Sequence, residues 1–116
     1  MVARNLLPGQ LTTNAQGVRG ESYSNGLTYA QAIAQAGGVA LTVAPLPELS
    51  LHVANLIRSV DGVVLQGGRD IDPARYRETR ASDTIYGVVA AHDDVEIAVA
   101  REAVRQNKLL LAVCRG

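Results

Sequence analysis

Apolar positions recur along this chain in two periods. Leu27, Ala30, Ile33 and Ala34 fall three or four residues apart, the spacing of one helix face. They predict a helix that begins near Ser24 or Asn25, either of which can cap it, and ends at Gly37-Gly38, where glycine tolerates the left-handed conformation. Val39 to Ala44 is a short apolar run closed by Pro45 and Pro47, and reads as a strand. Leu49, Val53, Leu56 and Ile57 predict the inner face of a second helix over about Pro47 to Ser59. Asp61-Gly62 then makes a turn into a buried strand, Val63-Val64-Leu65. Gln66-Gly67-Gly68 follows, and a polar loop is expected from Arg69 to about His92, with Asp83 inside it. Asp93 or Asp94 would cap a third helix reaching about Gln106, since acidic residues suit the positive end of a helix dipole. Asn107 can close that helix, and Leu109 to Val113 reads as a buried final strand. Residues 1–24 are weakly patterned and rich in Gly, Asn, Thr and Ser, and read as a loop with a stub of strand at its start.

Helices alternating with apolar strands predict an α/β fold, a doubly wound, flavodoxin-like three-layer sandwich with a mainly parallel sheet. The chain reads as a single partial domain over residues 1–116, with no repeat and no linker. A parallel sheet is normally covered on both faces. The last strand has no helix after it, so the fold reads as truncated after that strand, and its unfinished sheet as a surface for self-association.

Composition narrows the function. Hydrophobic residues make up 47% of the chain, enough to fill a core, but four Tyr are its only aromatics. The core must therefore come from Ala, Val, Leu and Ile. Eleven basic and eleven acidic residues balance to zero net charge, which gives no footprint for nucleic acid or an anionic membrane. The single cysteine excludes an internal disulfide and a cysteine-based zinc site, and a lone thiol suits a reducing compartment. The N-terminus lacks the apolar run of a signal peptide, and no run reaches membrane-spanning length. The chain reads as cytoplasmic, with no motif for a metal or a cofactor.

The candidate chemistry lies where two strands end. Leu109 to Val113 runs into Cys114-Arg115-Gly116, so a thiol stands at a strand's carboxyl end, the edge where open α/β sheets bind ligands. Gly116 lets the chain turn sharply beyond the sulfur, as in a nucleophile elbow. The competing reading of a free cysteine is a small buried hydrophobe. The strand at 63–65 brings Gly67 and Gly68 to the same edge, where glycine backbone N–H groups can meet a developing oxyanion. Two histidines precede the cysteine. His52 lies beside the apolar face of the second helix and reads best as a packed or solvated residue. His92 lies at a loop-to-helix junction that could approach the sheet edge, and reads best as a capping or solvent-facing residue. Arg101, Glu102 and Arg105 read as the solvated face of the third helix.

The segment Asp61-Gly-Val-Val-Leu-Gln-Gly-Gly-Arg-Asp-Ile-Asp-Pro73, followed by Tyr76 and later by Cys114-Arg115-Gly116, resembles the class I glutamine amidotransferase-like hydrolases. The branch that hydrolyses γ-glutamyl-γ-aminobutyrate, the peptidase C26 group, is the most similar. His92-Asp93-Asp94-Val95-Glu96 resembles that branch's Arg-Asp-x-x-Glu helix start, with His92 in the arginine's place. Tyr29 and Ala36-Gly37-Gly38 resemble its first helix, and the likeness runs over about residues 22–116. It implies that Cys114 is a nucleophile forming a γ-glutamyl thioester and that the N–H groups of Gly68 and Arg115 form the oxyanion hole. Gly67 and Asp70 would line the site of a small γ-glutamyl substrate. The family's general-base histidine and its carboxylate partner lie downstream of the nucleophile, so the 116-residue chain is expected to be inactive alone. Two alternatives compete with this reading, a non-catalytic interaction module and the amidotransferase subunit of a synthetase.

Overall fold

A computed structural model describes residues 2–13, 15–66 and 83–113, with the backbone alone for 83–93. Four strands form a parallel sheet in the order β4-β1-β5-β6, where β1 is Arg4–Pro8, β4 is Val39–Val43, β5 is Gly62–Leu65 and β6 is Leu109–Ala112. Helix α1 is Leu27–Gln35, α2 is Val53–Arg58 and α3 is Asp83–Arg105. Two further strands, β2 (Gln10–Thr13) and β3 (Glu21–Ser24), pair as an antiparallel hairpin between β1 and α1. This is the α/β, flavodoxin-like arrangement expected from the sequence.

The N-terminal loop is corrected. Residues 4–24 hold three strands, and β1 is an inner strand of the sheet. Its signal is only Leu6-Leu7 followed by Pro8, and proline cannot donate to a sheet ladder. Pro8 is tolerated because it ends the strand, and Gly9 N–H takes over, donating to Val43 O at 2.9 Å. Leu6 and Leu7 are both fully buried.

One sheet face is well covered. Leu6, Val63 and Leu65 pack with Val53 and Ile57 of α2, with Val60, and with Val95, Val99 and Ala103 of α3. The spacing Val95, Val99, Ala103 is the i, i+4, i+8 row of one helix face. The expected second helix is two pieces: a 3₁₀ turn over Pro47–Leu51, then α2. His52 separates them with φ −124° and ψ 8°, outside helical geometry, and is exposed.

The other face is thinly covered. Helix α1 lies against β4, but none of its residues is buried, and Leu27 is 70% exposed. The apolar stripe that predicted this helix therefore does not face a core. Between α1 and the sheet lies a groove of about 600 Å³, whose walls include Asn5, Ile33, Val64 and Leu111. Strand β6 is also corrected. It is an edge strand with Leu109 81% and Leu111 59% exposed, so its apolar composition does not report burial.

Helix termini follow the expected chemistry at the carboxyl ends and depart from it at the amino ends. Gly37 has φ +88°, and its N–H and that of Gly38 bond to Ala34 O and Ile33 O, a Schellman closure. Asn107 repeats this after α3 with φ 57°, as Lys108 N–H bonds to Ala103 O. At the start of α1 the cap position is Gly26, without a side-chain bond, because Ser24 belongs to β3 and Asn25 bonds elsewhere. Helix α3 begins at Asp83, ten residues before the expected start, so Asp93 and Asp94 are interior positions and not caps. Thr84, Ile85, Gly87, Val88 and Val89 are weak helix formers, which hid that first stretch.

The core assignment gives a contrast. Ile57→Ala is expected to cost about 2–5 kcal/mol, and Leu109→Ala to stay within about 0.5 kcal/mol, read from urea unfolding. The end of α3 carries a second test. Arg105 and Gln106 both donate to Glu102, and Gln106 Nε2 also donates to Ala54 O at 2.9 Å, tying α3 to α2. The bond from Arg105, then that from Gln106, hold the Glu102 carboxyl down from 4.5 to about 2. The stabilisation is present above the unfolded value and is lost as pH falls towards 2. Glu102→Gln should lower the melting temperature at pH 6, and its gap from the parent should close between pH 4.5 and 2.

Candidate functional site

Sheet order decides where a ligand can sit. From β1 the chain crosses through α1 to β4 on one side, and from β5 it crosses through α3 to β6 on the other. The carboxyl ends of β1 and β5 therefore flank the topological switch point, the crevice that open α/β sheets use for ligands.

Side-chain amides organise that edge. Asn25 Nδ2 donates to Leu7 O at 3.3 Å and Pro8 O at 3.0 Å, satisfying the last carbonyls of β1. Gln66 directly follows β5 and is 2% exposed. Its Oε1 accepts from Gly26 N–H at 3.0 Å, and its Nε2 donates to Ser24 O at 3.1 Å. The hairpin folds closely onto the end of β1, since a Cβ at Gly9 would stand 3.1 Å from the Tyr23 Cβ. The Tyr23 phenol is pushed up by burial, then by the neighbouring charges of Glu21 and Glu48. Glu96 of α3 is 5% exposed and accepts from Gln10 Nε2 of β2 at 3.1 Å.

Strands β5 and β6 run side by side towards the same edge. Leu65 is in register with Ala112, and Val113 N–H donates to Leu65 O at 2.9 Å. Gln66 leads in sequence into Gly67-Gly68, and Val113 into Cys114-Arg115-Gly116. The expected site residues Gly67, Gly68, Asp70, Cys114 and Arg115 lie outside the described residues, as do Asp72, Pro73 and Tyr76. His92 and Asp93 are described by backbone only and stand inside α3, so the loop-to-helix junction expected at His92 is corrected. Glu96 likewise belongs to the helix interior, where it holds Gln10, and not to a helix start.

Asn25 and Gln66 were legible as residues but not as a framework. A glutamine between a buried strand and a Gly-Gly pair is the signal for Gln66, because an amide buried there needs partners. Asn25 stood at a plausible cap position, and its cap chemistry was spent on β1 instead.

A flavodoxin-like sheet whose neighbouring strands end in these two motifs belongs to a recognisable class, and comparison with known proteins agrees. The Peptidase C26 family model matches residues 7–116, and the chain belongs to that family. It is 34% identical over 89 residues to a glutamine amidotransferase-like protein of Rickettsia prowazekii, covering 76% of this chain and 30% of that one. It is 33% identical over 88 residues to a candidate glutamine amidotransferase of Mycobacterium tuberculosis, covering 76% and 28%. It is 35% identical over 89 residues to the protein NtpR of Enterococcus hirae, covering 76% and 36%. The chain thus spans about a third of the length of these curated relatives. No helix among the described residues is long and apolar enough to cross a membrane.

The Asn25 clamp can be tested directly. Asn25→Ala leaves the Leu7 and Pro8 carbonyls without this donor and is expected to cost about 1–3 kcal/mol in urea unfolding. Hydrogen exchange should quicken in the hairpin before it quickens in β5.

Proposed function

We infer that this chain supplies the nucleophile and oxyanion strands of a cysteine-dependent amidase, a fold that hydrolyses the γ-amide of a γ-glutamyl substrate. One observation carries the reading: β5 and β6 are adjacent, parallel and in register up to Leu65 and Ala112. Each leads in sequence directly into one of the two motifs such a reaction needs. In this reading the Cys114 thiolate attacks the γ-carbonyl carbon, and the carbonyl oxygen becomes an anion facing the N–H groups of Gly68 and Arg115. The C–N bond then breaks, the amine leaves as it gains a proton, and water cleaves the thioester to release glutamate and the thiol. Family membership and the amidotransferase names of the relatives support a glutamine-like acyl group. The Asp70, Pro73 and Tyr76 pattern supports γ-glutamyl-γ-aminobutyrate as the amide.

The test separates a shaped acyl site from a merely exposed thiol. The test is run at pH 9, above the ordinary thiol pKa of about 8.5, so that alkylation of Cys114 needs no general base. A chloroketone analogue of glutamine should then alkylate it, with sulfur displacing chloride, at least tenfold faster than chloroacetone does. Excess glutamine should protect it, and the adduct should be absent from Cys114→Ser, read by intact mass. Equal rates for the two reagents with no protection would overturn the reading.

A further inference from the structure

We propose that the uncharged face carrying α1 is the interface of a two-fold homodimer, in which α1 of each copy packs on the bare half of the other copy's sheet and Leu27 of one copy meets Leu111 of the other. This goes beyond the amidase reading and does not depend on it.

The face has the shape of a step. Helix α1 lies against β4, while α2 and α3 cover the opposite face of the sheet. That leaves β5 and β6 largely open on the α1 side. Val64 of β5 and Leu111 and Val113 of β6 line the groove beside α1, together with Tyr29 and Ile33. Leu109 stands two residues before Leu111 on the same strand and so shares that face. Leu109 and Leu111 are exposed, whereas Leu6, Val63 and Leu65 on the opposite face are buried. Such a step is its own complement. A two-fold axis that sets one step against another puts α1 on the partner's β5–β6 half and the partner's α1 on this chain's. An isologous contact needs a self-matching surface of this kind. It also gives each sheet the cover on both faces that a parallel sheet normally has.

Charge selects a second copy as the occupant. From Ser22 to Pro47, through β3, α1 and β4, the chain carries no charged residue, and neither does Leu109–Val113, although 19% of the whole chain is charged. A surface helix ordinarily turns a charged face to water. The exposed residues of α1 are instead Leu27, Thr28, Gln31, Ala32, Ala34 and Gln35. Leu27 is 70% exposed, so the chain's own fold leaves its apolar side chain uncovered. A charged surface laid on its own copy brings like charges together; this one brings none. The same lack of charge gives nucleic acid and anionic lipid nothing to hold.

The experiment measures the mass of the full 116-residue chain by sedimentation equilibrium under reducing conditions, over about 1 to 100 µM, the weak end of specific association. The parent is expected to reach the mass of a dimer within that range. Leu27→Lys and Leu111→Glu should each raise the dissociation constant at least tenfold, because each sets a lone charge in a desolvated apolar contact. Both sites are exposed in the single copy, so folding is retained, which urea unfolding at the dilute end checks. Mixed in equal amounts, the two variants should recover a dimer within about threefold of the parent constant. One of the two symmetric contacts then joins the introduced opposite charges, and the other keeps both leucines. A parent that stays monomeric overturns the proposal, as does a mixture that stays monomeric. A dimer that survives Leu27→Lys but not Leu111→Glu also overturns it, and assigns association to the free edge of β6. Should a charged variant fail to unfold cooperatively, Leu27→Ser and Leu111→Ser replace the pair, and a dimer that either leaves unweakened overturns the proposal.

Discussion

Burial of Leu6 and Leu7 holds β1 between β4 and β5, and the carboxyl edge of the molecule is organised around that strand. With β1 inside the sheet, its crossover to β4 and the crossover from β5 to β6 leave in opposite directions. That divergence opens the crevice between the ends of β1 and β5. The hairpin that follows β1 then has nowhere to go but over this edge. Asn25 and Gln66 satisfy the polar backbone that its return exposes.

The two faces of the sheet have unequal energetic weight. The face under α2 and α3 holds the fully buried Ile57, Val60, Val63, Val95 and Val99, and hydrophobic stabilisation is concentrated there. The face under α1 is half open, with Leu111 and Leu27 largely in solvent. The site edge is thus anchored through β5 and α3 on the packed side. Glu96 on α3 and Gln66 after β5 are the two points from which that rigidity reaches the hairpin.

Buried and half-buried polar groups on this edge act as connectors. Each of Gln66, Asn25 and Glu96 bonds to a segment distant in sequence, and each bond spans a boundary between the sheet or α3 and the hairpin or its return. Family membership assigns this edge to an amidotransferase-like lineage. It is the connectors that show how such an edge is kept in shape in this chain.

The sequence by itself determined the α/β class, the strands at 39–43 and 62–65, and both left-handed helix closures. These depend on local apolar runs and on glycine or asparagine where φ must be positive. It also marked the two strand-end motifs, because apolar runs that stop at Gly-Gly or Cys-Arg-Gly are visible without a fold. Tertiary structure alone decided that β1 is an inner strand, since five residues ending in proline carry little periodicity and only pairing with β4 and β5 makes them a strand. It alone decided that β6 is exposed, because a leucine run is the same string whether its faces are covered or bare. It alone decided the roles of Asn25, Gln66 and Glu96, whose partners lie 17, 42 and 86 residues away and are joined only when the hairpin closes over the sheet.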